Sequence, residues 1–188
     1  ADNASYNNSG FDRGHSCPSA DRTSTVAANS STFLMTNMIP QARQLNTTTW
    51  SNLEDSCRQL ASGGANELYI YTGSFGSGGT GNNGFASNIA ESNIVVPAYV
   101  WKVVVVIPNG NNDISRINNS TRVIAVLVPN DNASISTWKT YRVSVDEIET
   151  YNLIKTIKSE LYNILDGLIP INSITQNTYN FYKTMIVL

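Results

Sequence analysis

The sequence predicts an α+β fold in one domain over residues 1–188. Three observations carry this reading. Residues 11–61 read as strand, strand, helix. Residues 67–128 hold a buried strand and two strongly β-prone segments, and 151–168 carries apolar residues at helical spacing. A chain of 188 residues is long enough to bury a sizeable core.

The elements follow in order. Residues 1–10 are a polar, Asn/Ser-rich lead-in, and 11–15 form a short strand ended by Pro18, with Arg13 and His15 on one face by two-residue alternation. Residues 21–31 read as a loop, and 32–38 as a second strand closed by Pro40. A helix over 46–61 ends at Gly63-Gly64, with Trp50, Leu53, Cys57 and Leu60 as its buried stripe. Residues 67–73 read as a buried strand running into the glycine-rich segment 76–81. That segment lacks the Lys-Ser/Thr of a phosphate-binding P-loop, so it is taken as a flexible loop. Strands over 99–107 and 122–128 flank an Asn/Gly-rich turn at 109–112, and 138–145 is a further candidate strand. Ile154, Ile157, Leu161, Leu165 and Leu168 mark an amphipathic helix, while the last twenty residues carry no assignment.

Composition narrows the function. Charged residues make up only 14% and hydrophobic ones 41%, with Asn, Ser and Thr in their place, which suits a secreted or surface-exposed protein. A formal net charge of −2 excludes a general basic field, so any contact with nucleic acid is local, through a few placed arginines and a metal. The longest apolar stretch, 94–107, is broken by Pro97 and Lys102 and is too short for a bilayer. The start Ala1-Asp2-Asn3 has no basic or apolar leader and reads as a mature or trimmed form. Two cysteines, Cys17 and Cys57, permit one bridge between the first strand and the helix and do not require it.

His15 is the only histidine, flanked by two arginines and two aspartates within positions 12–22. If the protein does acid–base chemistry near neutral pH, this is the unperturbed side chain able to do it. On the helix, Glu54 and Arg58 are four apart and share a face. Asn46 and Glu54 are eight apart, which on an α-helix sets them about 80° apart around the axis and ~12 Å along it. One direct metal ligand plus one carboxylate acting through a water fits that spacing better than two direct ligands. Each residue also has a plainer reading. Asn46 fits a helix N-cap, Glu54 and Arg58 an exposed ion pair, Arg13 a partner for Asp12 or Asp21, and Asn37 the turn between the strands and the helix.

The joint pattern decides between them. Asp12-Arg13-Gly14-His15, Pro18-Ser19-Ala20-Asp21-Arg22, Thr36-Asn37-Met38-Ile39-Pro40-Gln41, Leu45-Asn46 and Asn52-Leu53-Glu54 resemble the DNA/RNA non-specific endonuclease family, in particular its secreted cyanobacterial type. The likeness continues through 67–70, 96–102, 122–125 and 141–149, and so covers roughly residues 9 to 149. It implies a ββα-metal nuclease core on a mostly antiparallel sheet flanked by helices. It implies His15 as general base, Asn46 as the one direct protein ligand of Mg²⁺ or Mn²⁺, Glu54 acting on that ion through water, and Arg13 and Arg58 as active-site arginines. The substrates it implies are DNA and RNA, single- or double-stranded, with a proteinaceous nuclease inhibitor as a further partner and no membrane.

The chemistry is coherent with those roles. Hydrolysis of a phosphodiester needs a water deprotonated in line with the leaving oxygen and cationic stabilisation of the crowded phosphorus centre. Contacts confined to phosphate ignore base and sugar identity. Family members carry a further strand and a transition-state arginine ahead of Asp-Arg-Gly-His, whereas here eleven residues precede Asp12 and none is arginine. The expectation is therefore slow cutting unless Arg13 or Arg58 covers that charge. The competing class is a catalytically weak, nuclease-derived module that binds nucleic acid or a protein partner.

Overall fold

The computed structural model describes residues 3–90 and 94–150. Strand β1 (Phe11–His15) pairs antiparallel with β2 (Met38–Ala42), Phe11 opposite Ala42 and His15 opposite Met38. Between them lie a 3₁₀ turn at Ser19–Asp21, helix α1 (Val26–Ser31) capped by the Thr25 hydroxyl, and a 3₁₀ turn at Met35–Asn37. The second strand thus sits later than the expected 32–38 and runs through Pro40 instead of stopping before it. Two physical causes combine. The Asn37 side chain accepts from Cys17 N and donates to Cys17 O and Thr32 O, which holds the preceding residues in a turn. A two-stranded ribbon also leaves one edge of each strand unpaired, so Pro40, opposite Arg13, needs no N–H there.

A helical segment starts at Arg43, directly after β2, passes through a π-helical turn at Leu45–Trp50 and continues as α2 (Ser51–Ala61). Gly63 and Gly64, at φ 83° and 71°, turn the chain out of it. Then follow β3 (Asn66–Phe75), a small hairpin of β4 (Gly79–Gly81) and β5 (Gly84–Ala86), and the short pair β6 (Asn88–Ile89) and β7 (Ile94–Val95). The glycine-rich segment is therefore partly a paired hairpin and not a plain loop. It is tied at Thr80 to Asp131 and through Asn83 to the carbonyl of Asn8.

Strands β8 (Tyr99–Pro108) and β9 (Arg122–Pro129) match the sequence expectation closely, with α3 (Asp113–Arg116) in the connection. The candidate strand at 138–145 resolves into a 3₁₀ turn at Trp138–Tyr141, the two-residue β10 (Arg142–Val143) and the start of α4 (Val145–Thr150). Trp138 turns inward there, donating from Nε1 to Ser56 Oγ at 3.0 Å. The amphipathic helix expected over 151–168 lies outside the described residues.

The larger sheet has the order β10-β9-β8-β3 and is antiparallel throughout. Both of its faces are covered, which is why residues 103–107 read as unbroken apolar sequence. Val100, Val104, Ile124, Val126 and Val128 pack with Leu45, Trp50, Leu53 and Cys57 of the helical segment. Tyr71, Val103, Val105, Ile107, Ala125 and Leu127 face the other way, against Ile148 of α4. Each fully buried aliphatic side chain contributes about 1.5–3 kcal/mol, so this double layer dominates stability. Asn130, 1% exposed, joins the ribbon to the sheet: it accepts from Ala42 N at 2.7 Å and donates to Pro40 O and Pro97 O, each at 2.9 Å. No helix among the described residues is long and apolar enough to cross a membrane.

Candidate active site

A cleft of ≈ 790 Å³ opens beside the β1–β2 ribbon, its walls including Asp12, Arg13, His15, Arg43 and Asn46 together with Tyr6 and Phe33. Alternation along β1 carries Arg13 and His15 to this cleft, and Gly14 between them is buried. A Cβ at Gly14 would run into the side chain of Gln41, which is fully buried on β2. The glycine of Asp-Arg-Gly-His thus lets the ribbon close over Gln41 while its neighbours face outward.

The His15 imidazole meets the Phe33 ring edge-to-face at 5.0 Å between centroids. Its Nε2 is buried and has no hydrogen-bond partner among the described residues. Buried ring nitrogens are normally satisfied, so one without a partner at the edge of a cleft marks His15 as a candidate proton acceptor. Burial first, and then the Arg13 charge, hold the imidazole below its ordinary pKa of 6.5. Both effects favour the free base over the imidazolium.

Asn46 is not an N-cap. It lies inside the π-helical turn, three residues into the helical segment, and its Nδ2 donates to Asp12 Oδ2 at 3.0 Å. That bond fixes the amide and leaves the carbonyl Oδ1 as its acceptor end. The π turn also changes the relation of Asn46 to Glu54. Such a turn takes in one extra residue, so by ideal geometry eight residues rotate roughly as seven α-helical ones do, which corresponds to a separation of about 20° around the axis instead of 80°. π turns of this kind occur often at functional sites.

Glu54 and Arg58 are not among the cleft walls. The Glu54 carboxylate, 14% exposed, sits 3.5 Å from the ammonium of Lys102, which is buried and lies 4.7 Å from the centroid of the Trp50 ring. Burial pushes the Glu54 carboxyl up from its usual pKa, and Lys102 pulls it back. Arg58 is held by Asp21 at 2.8 Å and Asp55 at 2.5 Å, so the plainer reading of it as an ion-pair residue describes its geometry, with Asp21 and Asp55 in place of Glu54. Sequence reasoning missed Arg43 as a cleft residue and Lys102 as the partner of Glu54. It also missed Phe33, whose place beside His15 carries no local signal. Cys17 and Cys57 are both free thiols, and burial pushes that of Cys57 up to about 11.

The donors in the cleft include the Asn46 amide oxygen and the Asp12 carboxylate, hard oxygens of the kind that Mg²⁺ and Mn²⁺ take while keeping most of their waters. Among the described residues no three His, Cys, Asp or Glu side chains converge as a ready-made cage. The residues thus fit a hydrated cation held by few protein groups.

A two-stranded ribbon bearing the histidine, followed by a helix bearing the asparagine, laid on an antiparallel sheet, is a ββα-metal nuclease core. A chain of the crystal structure of the EndoG/EndoGI complex shares this fold, with a TM-score of 0.62 over 80% of the present chain and 60% of that one, at 23% sequence identity. The sequence matches the DNA/RNA non-specific endonuclease family over residues 1–160, and the chain belongs to that family. It is 42% identical over 165 residues to a nuclease of Nostoc sp., covering 86% of this chain and 57% of that protein. Nuclease C1 of Cunninghamella echinulata var. echinulata is 36% identical over 113 residues, 58% of this chain and 44% of the relative. Human mitochondrial endonuclease G is 34% identical over 109 residues, 56% of this chain and 36% of the relative. The chain thus spans between about a third and three fifths of the length of these relatives.

Proposed function

We propose that the chain hydrolyses phosphodiester bonds of DNA and RNA without regard to sugar or sequence, with His15 as the general base. The observation that carries this is one cleft lined both by the His15 imidazole, whose buried Nε2 has no partner among the described residues, and by an asparagine amide that donates to Asp12. In this reading His15 takes the proton of the attacking water at neutral pH. Asn46 offers its Oδ1 to Mg²⁺ or Mn²⁺, and Glu54 reaches the same ion through water, from the helix face that the π turn aligns with Asn46. When bound, the cation supplies positive charge to the scissile phosphate. Arg13, exposed on the cleft wall, faces the incoming phosphate. Arg58 acts at one remove, as an anchor for Asp21 and Asp55.

The Asn/Ser/Thr-rich composition supports a secreted nuclease. The neighbouring EndoG/EndoGI structure concerns inhibition of EndoG, and a protein inhibitor of the present chain is proposed by analogy. Incubating the chain with supercoiled plasmid and with RNA, in Mg²⁺ and in EDTA, tests the reading. Cleavage of both polymers in Mg²⁺ alone is expected. Retention of intact polymer in shifted complexes would instead favour the binding module.

A further inference from the structure

The cleft contains a second exposed cation that the assignments above leave unused. Arg43 is 63% exposed at its side chain and among the described residues makes one ion pair, 3.6 Å from Asp12 Oδ1. An exposed pair at that distance contributes little to stability. The other Asp12 oxygen is already engaged by Asn46, so Arg43 is not what orients that amide.

The backbone of Arg43, by contrast, is fixed on both sides. Ala42 N donates to the buried Asn130 side chain at 2.7 Å, and Gln44 N donates to Asn132 Oδ1 at 3.0 Å. The carbonyl of Arg43 accepts from Thr47 Oγ1 at 2.8 Å. A pinned Cα thus carries a long, exposed guanidinium at the rim of the cleft that holds His15. Arg13 and Arg43 face Asp12 as the charged wall residues, an excess of positive charge in a chain whose formal net charge is −2. A planar guanidinium matches two phosphate oxygens better than it matches one carboxylate oxygen at 3.6 Å.

We propose that Arg43 is a phosphate-contacting residue, which rests on Asp12 in the free protein and grips a backbone phosphate of the nucleic-acid strand lying in the cleft beside His15. This rests on the proposed nuclease reading and names the group that holds the strand rather than the group that cuts it. The contact is to phosphate, so it serves DNA and RNA alike.

The test measures binding apart from cleavage. In a His15→Ala background with Mg²⁺ present, anisotropy of a fluorescent single-stranded oligodeoxynucleotide gives affinity as a function of NaCl. Adding Arg43→Gln is expected to weaken binding roughly tenfold or more and to flatten the salt slope by about 0.7. Arg43→Lys is expected to keep the slope and restore only part of the affinity, since it keeps the charge without the fork. With His15 intact, Arg43→Gln is expected to raise KM for cleavage while the Mg²⁺ midpoint and melting temperature stay put. An unchanged affinity and slope overturns the proposal, as does a defect confined to the Mg²⁺ midpoint, which would make Arg43 a support for Asp12 and Asn46. If the His15→Ala chain binds no oligonucleotide at all, the nuclease reading falls as well. Binding that ignores Arg43 while His15→Ala still abolishes cleavage sinks this inference alone.

Discussion

Lys102→Met isolates the ion pair beneath the helix. At 3.5 Å and an effective dielectric of about 20, the attraction between Lys102 and Glu54 is about 5 kcal/mol. Methionine keeps most of the volume and removes the burial cost of an ammonium, which offsets part of that loss. Glu54, 14% exposed, is then left as a largely desolvated carboxylate, so the net destabilisation at neutral pH is about 3 kcal/mol. The pH dependence gives the sharper signature. Burial already raises the folded pKa of Glu54 above 4.5, and losing Lys102 raises it further. A carboxyl with a raised folded pKa stabilises below its unfolded pKa and loses that contribution as pH rises through the folded one. The variant's deficit should therefore be small below pH 4.5 and grow toward neutrality. Urea unfolding in EDTA at both pH values measures it, and adding Glu54→Gln should restore most of the neutral-pH loss. A deficit under about 1 kcal/mol, or one equal at both pH values, would refute the reasoning.

Replacing Asn46 by Ala should raise the Mg²⁺ concentration needed for half-maximal cleavage strongly, and Glu54→Ala should do so less, since it acts through water; rate against Mg²⁺ concentration reads both. Because His15 sits below 6.5, the acid limb of kcat/KM should fall below that value, with activity lost as pH drops through it; a limb above 6.5 would contradict the burial argument. Gly14→Ala should lower stability by about 1–3 kcal/mol, since the new Cβ displaces the buried Gln41; thermal unfolding checks it. Thiol titration of the unfolded, unreduced chain should count both Cys17 and Cys57, and in the folded chain Cys57 should resist alkylation, being buried with a pKa near 11.

How far the sequence foretold these features depended on how local the signal was. Strands β8 and β9 and the stripe Trp50, Leu53 and Cys57 were legible because periodic apolar residues bury within their own elements. Strand β2 was misplaced because Pro40 reads as a terminator, and only pairing with β1 makes its missing N–H harmless. The helix start was set three residues late, at Asn46, since Arg43-Gln44 carries no cap signal and a π turn leaves no mark in hydrophobic periodicity. That lateness made Asn46 look like an N-cap and left the π turn out of its bearing to Glu54. Lys102 read as an interruption of an apolar run, since its partner Glu54 is 48 residues away. Arg58 belonged to a likeness in sequence, but two carboxylates hold it in space, and Arg43 had no motif to announce it.

The central claim is that His15 is the base of a metal-dependent phosphodiesterase. The most direct measurement is the initial rate of plasmid and RNA cleavage at saturating Mg²⁺ for the parent and for His15→Ala, with matched melting temperatures. The parent is expected to cut both polymers, EDTA to stop it, and His15→Ala to be slower by roughly 10²–10⁴-fold on each. A variant within tenfold of the parent would contradict the claim.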